Sequence, residues 1–555
     1  VYWSENHSLM WLCAIQLTNE WYGWPVVQDD HQSRLMIFLQ QKINHGFIEF
    51  FSTTYAPFTF AALANLFDFS SNAEIKELAE GAAIRLLQDI DLITNDKGGQ
   101  FAVAGRNYKD NVESSTGTSN TMGWLLTGRG GEDGLNTGAL SFGPGAIALA
   151  TTTLDVSSVL RTPLVEAHIV RETGHNRNEF LQEWSGLNVH DRQLVGMNMG
   201  GYAHPDYVVD LFATLNFYNL WDSKYFEKLK PIRWLPPKVL RFAANAASTY
   251  GSSTLLHAQI VLHKYKTSML STLQDYHKGL NGEQQWPFLA TVGSAPIYIA
   301  TGSKESRNPS VHFPYAIQEQ NVALLVYFPN SDLQLFGGAQ GDSLDVTLIW
   351  PEDSFSEASV ERGNWIVGRE DLSYVAVYRS CLDVDGDGLP SCKSTKQVWA
   401  CIVGHEDTHG SFEEFLEMLD AATIDKRMSK NFIAASVNAD SQAISIEWSQ
   451  EHHGPAKLAL ILGVILVGLV LALSIFVCIH IDPPASDELN KDKSTETWFG
   501  RRLRCFKTKT GAGLCLCLVL LAVIFSLGLV AILRLANEGN QLPSAIASSM
   551  GEIEV

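Results

Sequence analysis

The chain has 555 residues, a formal net charge of −20 and 46% hydrophobic residues. That length sets an expectation of about two to four domains with enough apolar side chains for a large core. The acidic balance argues against nucleic acid as a partner, because phosphate binding needs a basic face, and it means that an acidic polymer could be held only at a local basic site.

In chain order, the first part reads as helical. The chain opens Val-Tyr-Trp-Ser with no Met, no basic start and no apolar run, as expected of a chain truncated upstream. Apolar residues at three- and four-residue spacing predict helices over Ser8–Leu17, His31–Ile43, Pro57–Phe67, Glu74–Asp91 and Pro205–Leu220. Pro57 and Asn72 are helix-start signals, since Pro is pre-set for the first turn and Asn caps free amides. Helices with short connections suggest stacked helical hairpins. The Gly-, Ser-, Thr- and Asn-rich stretch Asn95–Gly145 reads as long loops, where function often sits.

Near residue 285 the pattern changes to short β-branched runs. Ala295–Ala300, Val322–Phe328, Asp345–Ile349, Asn364–Val367, Tyr374–Tyr378 and Gln397–Val403 predict strands between Gly, Asp and Ser turns, which suggests an antiparallel β-sandwich over 285–437. Within it, Asp383, Asp385 and Asp387 with Gly388 match the first half of a calcium loop, but Ser394 stands where the closing Glu belongs. Either a structural calcium or a plain acidic turn fits. Cys381 and Cys392 bracket this loop and are placed to form a disulfide.

Residues 438–457 read as a polar linker. Leu458–Ile481 and Gly511–Leu533 are uncharged apolar runs of transmembrane length. The loop 482–510 carries Lys491, Lys493, Arg501, Arg502, Arg504, Lys507 and Lys509, against Lys457 and Arg534 on the outer flanks. That excess predicts a cytoplasmic loop, with the N-terminal region and the tail 534–555 extracellular or lumenal. The sequence-based expectation is thus a two-span integral membrane protein with the lipid bilayer as a partner.

Several ordered motifs carry a resemblance. They are Ser4-Glu5-Asn6-His7-Ser8, Phe47-Ile48-Glu49-Phe50 with Tyr55-Ala56-Pro57, Gly105-Arg106-Asn107-Tyr108, and Met199-Gly200-Gly201-Tyr202-Ala203-His204-Pro205. In the β region Gln320–Ala323, Gly363–Arg369, and Val398-Trp399 through Gly410–Glu413 join them. Together these resemble the heparinase II/III-like polysaccharide lyases. The resemblance implies an α+β multidomain chain: an (α/α) toroid over 1–284, N-terminally truncated, then the β-sandwich, with the two transmembrane helices following.

It also implies chemistry. A lyase removes the C5 proton of a uronate by β-elimination, which requires the adjacent carboxylate to be neutralised, a base for the proton and an acid for the leaving oxygen. By the resemblance Asn6 neutralises the carboxylate, His7 is base or helps hold that carboxylate, and Tyr55 donates to the leaving oxygen. Arg106 lowers the Tyr55 pKa or binds a substrate acid, Glu49 orients His7 or Arg106, and Tyr202 and His204 line the pocket. No cofactor is required for this reaction, and the implied partner is an acidic polysaccharide.

The residues also admit blander roles. Asn6 and His7 can cap a helix, and Asn6-His7-Ser8 is an N-glycosylation sequon. Two other functions stand beside the lyase: a non-catalytic carbohydrate-binding or cell-surface interaction protein, and a glycoside hydrolase, which would need a carboxylate pair. The sequence has no P-loop and no G-x-S-x-G nucleophile elbow.

Overall fold

The structure is a computed structural model. It describes residues 4–23, 31–96, 99–101, 103–113, 119–129, 143–157, 159, 166–174, 208–224, 226–241, 257–274, 285–293, 295–301, 313–327, 344–394, 396–429 and 432–449. The chain divides into two compact units, Val1–Trp448 and Ser449–Val555. All but the first residue of the second unit lies outside the described residues.

Four helices build the first core: α1 (Glu5–Tyr22), α2 (His31–His45), α3 (Ala56–Phe69) and α4 (Ala73–Ile93). Each buries one apolar stripe, with Leu9 and Leu12 of α1, Leu35 and Phe38 of α2, Phe60 and Leu63 of α3, and Ala79, Ala83 and Leu87 of α4 in one cluster. The start signals act as their chemistry dictates. The Asn72 side chain accepts from the Glu74 and Ile75 amides at 3.0 and 3.2 Å, and Pro57 sits in the first turn of α3. Helix Pro144–Thr151 completes the layer, approaching α3 so closely that a Cβ on Gly145 would stand 2.5 Å from the Pro57 Cα.

Among the described residues the β region holds an eight-stranded sheet ordered β14 (Asp383–Val384), β15 (Pro390–Ser394), β10 (Leu344–Ile349), β7 (Ala295–Ala300), β6 (Phe288–Val292), β4 (Ser268–Gln274), β3 (His257–Tyr265) and β2 (Glu166–Gly174), and a six-stranded sheet ordered β11 (Val360–Arg362), β12 (Trp365–Glu370), β13 (Ser373–Arg379), β16 (Gln397–His405), β9 (Val322–Tyr327) and β8 (Tyr315–Glu319). Their facing sides share one core, in which Leu270, Phe288 and Val346 meet Leu325, Val375 and Trp399. Strand β9 (Val322–Tyr327) shows why its sequence is apolar throughout. Ala323, Leu325 and Tyr327 enter that core, while Val322, Leu324 and Val326 face the helix Phe412–Ala421 and a three-stranded sheet of β17 (Thr423–Ser429), β18 (Phe432–Ala439) and β19 (Gln442–Ser449). A strand covered on both faces has no solvent side to make polar. Behind β9, His409 Nε2 lies 2.9 Å from Asp440 Oδ2, which ties the β18–β19 turn to the sandwich.

The outer face of the eight-stranded sheet meets the helical layer. Ile260, Leu262, Met269 and Leu273 pack on Phe50, Phe51, Leu92 and Phe101. Lys264 of β3 (His257–Tyr265) is 0% exposed there, and its ammonium donates to the Leu92 and Thr94 carbonyls at 3.1 and 2.7 Å. It thereby satisfies the carboxyl end of α4, where free carbonyls and the helix dipole favour a cation.

Two expectations are corrected. First, the (α/α) toroid is not formed among the described residues. The predicted helices exist, but α1 to α4 pack as a layer, Val208–Phe217 sits in a separate apolar cluster, and residues 166–174 and 257–274 form strands β2 to β4 of the large sheet instead of further hairpins. The sheet-forming sequence therefore begins well before residue 285. Second, the two-span integral membrane arrangement is overturned: among the described residues no helix is long and apolar enough to cross a membrane. The long helices α1 and α4 are amphipathic, with Glu20 in the first and Lys76, Glu77, Glu80, Arg85, Asp89 and Asp91 in the second. The runs 458–481 and 511–533 and the loop 482–510, on which that expectation rested, lie outside the described residues.

Candidate functional site

The start of α1, the segment 47–55 and the segment 105–111 converge on one cluster. Its foundation is a buried ion pair between Glu5 and Lys42. Glu5 Oε2 also accepts the Ile48 and Glu49 amides, each at 3.0 Å, so the first turn of α1 fixes the path of 47–49. Glu49 returns the contact, its Oε2 accepting the Asn6 amide at 3.0 Å. These bonds place two carboxyl groups at a helix amino end, where free amides favour them.

Arg106 arrives from strand β1 (Gly105–Arg106), which pairs with β5 (Gln285–Trp286). Gly105 is required there, because a Cβ would stand 2.9 Å from the Phe50 carbonyl oxygen. The Arg106 side chain is 13% exposed, and among the described residues its one ion pair is with Glu49 Oε1 at 3.4 Å. Its Nε is buried with no hydrogen-bond partner among them. The guanidinium carbon lies 5.5 Å from the centre of the Tyr55 ring. A partly buried guanidinium with so few partners is an under-satisfied anion site.

Three successive residues tie the Tyr55 segment to the chain after Arg106. The Thr53 amide donates to Asn107 Oδ1 at 2.9 Å, Thr54 Oγ1 donates to Asn111 Oδ1 at 2.7 Å, and the Tyr55 hydroxyl donates to the Tyr108 hydroxyl at 2.9 Å. Asn107 is itself held, its Nδ2 donating to the Phe51 carbonyl at 3.0 Å and its own carbonyl accepting Trp286 Nε1 at 2.8 Å. Phe51 turns with φ of 47°, which sets the following residues toward Asn107.

The electrostatics follow from burial. Burial pushes the Glu49 carboxyl up to about 7; Arg106 opposes the shift and the nearby Glu5 carboxylate adds to it. Burial also raises the Tyr55 phenol, with the Arg106 charge opposing the shift.

Asn6, Glu49, Arg106 and Tyr55 are thus linked through consecutive contacts. Asn6 is 3% exposed, and its Oδ1 is buried without a hydrogen-bond partner among the described residues. A side chain so enclosed has no room for a glycan, which sets aside the sequon reading. His7 is exposed on the same first turn, and its Nδ1 is hydrogen-bonded to Ser4 Oγ. Tyr202 and His204 lie outside the described residues.

Tyr108 had no role assigned from sequence. The available signal was its spacing: an extended segment puts residues two apart on one face, so a residue two beyond Arg106 is placed to join it.

Away from this cluster, Cys381 and Cys392 form a disulfide with Cα atoms 5.2 Å apart. Asp385 Oδ1 accepts the Asp387 and Leu389 amides, both at 2.9 Å, while Asp383 and Asp387 are exposed. Among the described residues, no group of three or more His, Cys, Asp or Glu side chains is arranged to hold a metal.

No family model matches the chain, and no curated protein matches it. Among solved structures it has weak structural similarity to one described as the crystal structure of heparinase III. The identity is 9%, the match covers 80% of this chain and 75% of that one, and the TM-score is 0.20. Similarity at that level defines neither the fold nor the site of this chain.

Proposed function

We propose that this chain acts on an acidic polysaccharide and cleaves it by β-elimination, with Arg106 binding the uronate carboxylate and Tyr55 protonating the leaving oxygen. The observation that carries this reading is the Arg106 guanidinium: partly buried, held by one 3.4 Å ion pair, with Nε unpartnered among the described residues, and lying over the Tyr55 ring. A net charge of −20 repels a polyanion in general, so a substrate of that kind needs such a local cation.

The roles follow from the chemistry. Charge neutralisation at the carboxylate by Arg106 makes the C5 proton removable by stabilising the enolate that develops. His7, on the exposed side of the same helix turn, takes that proton. The C4–O4 bond breaks as the C4=C5 double bond forms, and the Tyr55 phenol gives its proton to O4. Glu49 holds Arg106 and the amide of Asn6 in place.

The test is ultraviolet absorbance on mixing the protein with alginate, heparan sulfate, chondroitin or pectate. Elimination leaves a conjugated unsaturated uronate that absorbs, and hydrolysis does not. A rise with at least one polymer is expected, reduced about 10²- to 10⁴-fold by Tyr55→Phe, the range for loss of a general acid. Arg106→Ala should raise KM and lower kcat together. Folded protein that binds a polymer without any rise would replace the lyase with a carbohydrate-binding protein.

A further inference from the structure

We infer that Tyr108 is the positioning residue of the Tyr55 acid: its hydroxyl accepts from Tyr55 in the free protein and donates to the Tyr55 oxygen once the Tyr55 O–H has turned to the leaving oxygen. The inference rests on the reading of Tyr55 as the group that protonates the leaving oxygen. It is argued from how the pair is built.

The 2.9 Å contact between the two hydroxyls is one of three parallel ties. Thr53 to Asn107 and Thr54 to Asn111 lie beside it, from adjacent residues on one strand of chain to a short stretch of the other. The Tyr108 carbonyl accepts the Asn111 and Val112 amides at 3.0 and 3.1 Å, which anchors that residue to the helix Lys109–Glu113. The Tyr55 amide donates to Ser52 Oγ at 3.1 Å. Both backbones are therefore fixed independently of the tyrosine side chains, and the rings meet at 6.0 Å between centres with the hydroxyls in register. Strand β1 places Arg106 two residues before Tyr108, so one segment presents both the cation over the Tyr55 ring and the partner of its hydroxyl.

The chemistry gives this pairing a purpose. When Tyr55–OH breaks and its proton goes to O4, the electron pair stays on the Tyr55 oxygen. A half-buried phenolate needs a donor, and Arg106 reaches the ring face rather than the oxygen. A hydroxyl is both donor and acceptor and changes role by rotating its hydrogen, with no heavy atom moving. Tyr108 then donates to the phenolate in a charge-assisted bond, about twice as strong as the neutral bond it replaces. The proton that finally restores Tyr55 is the one His7 took from C5, returned through solvent, so the cycle balances.

The experiment uses the full chain with Tyr108→Phe, which removes one oxygen and keeps the ring. Two measurements are paired: the pH–rate profile of elimination, and the titration of Tyr55 followed by carbon-13 NMR of labelled tyrosine, with the Tyr55 resonance identified by its loss in Tyr55→Phe. A kcat about ten- to hundredfold lower is expected, with KM within about twofold, as for loss of a hydrogen bond to a charged group. The Tyr55 titration and the basic limb of the profile should both move to higher pH, because the bond lost from the ionised form is the stronger. Tyr108→His, which retains a donor, should restore part of the rate.

An unmoved or lowered Tyr55 titration overturns the inference even where wild-type protein makes unsaturated product. A raised titration in a protein that makes no product upholds the pair and removes the lyase reading instead.

Discussion

Glu49 is the residue on which the site's charge depends. Its carboxyl is enclosed, shares its surroundings with Glu5, Lys42 and Arg106, and is pushed up to about 7, chiefly by burial. The unfolded chain ionises a Glu near 4.5. Between those values the folded state holds a proton that the unfolded state has released. Stability from this group is therefore full below about 4.5 and is lost as pH rises through about 7. The expected loss is on the order of 1–3 kcal/mol, from about 1.4 kcal/mol per unit discounted for relaxation of the pair with Arg106. Urea unfolding of wild type and Glu49→Gln across pH 4 to 8 (roughly the range the linkage spans) measures it. The variant should be the less pH-dependent of the two. Parallel curves would show that Glu49 is ionised throughout and that Arg106 is permanently neutralised.

At the scale of elements, close approach sets how tightly the helical layer is built. The residue between Pro144 and Ala146 sits where helix Pro144–Thr151 crosses the first turn of α3. A Cβ on Gly145 would meet the Pro57 Cα at 2.5 Å and the Met122 sulfur closer still. Backbone on one side cannot yield as a flexible side chain would. Gly145→Ala should therefore destabilise by about 1–3 kcal/mol, the usual cost of overpacking, although Ala favours a helix over Gly. Thermal unfolding of the variant decides the sign, and a Tm at or above wild type would mean that the two helices separate without cost. The same elements show what the sequence made legible. Helices over 57–67 and 74–91 were expected, and Ala56–Phe69 and Ala73–Ile93 formed, because apolar spacing and start signals agree there. Strand 295–300 was read to the residue, since a β-branched run between turns has few alternatives. Strand β3 is not legible in the sequence, because His257, Gln259, His263 and Lys264 break its apolar run and a Lys in such a pattern reads as solvent-facing. In the site, Arg106 and Tyr55 were named by motif, whereas the tie between Tyr55 and Tyr108 depends on a meeting of segments 53 residues apart.

For the whole described molecule, the joint between helical layer and large sheet is where local pattern stops being a guide. Stacked hairpins and a closed ring of hairpins share one periodicity, so helix spacing could not reveal that β2 to β4 would cover this layer. What holds the joint is apolar packing around one buried cation. Lys264 lies between the sheet and the end of α4, and burial lowers its pKa to about 8, with Arg129 adding to the shift and Asp91 opposing it. An unfolded Lys titrates near 10.5. From about 8 to 10.5 the unfolded chain binds the proton that the folded chain has lost, so stability from this group is present above 10.5 and falls away as pH drops through about 8. At neutral pH the charged ammonium is kept because it satisfies the Leu92 and Thr94 carbonyls. Lys264→Met removes both effects. Its stability relative to wild type should worsen by on the order of 1–3 kcal/mol as pH rises from 8 to 10.5, because only wild type gains over that range. Chemical denaturation of both proteins at several pH values gives the difference directly, with all other titrating groups common to the pair. A difference independent of pH would mean that water reaches Lys264 and that the sheet does not seal against α4.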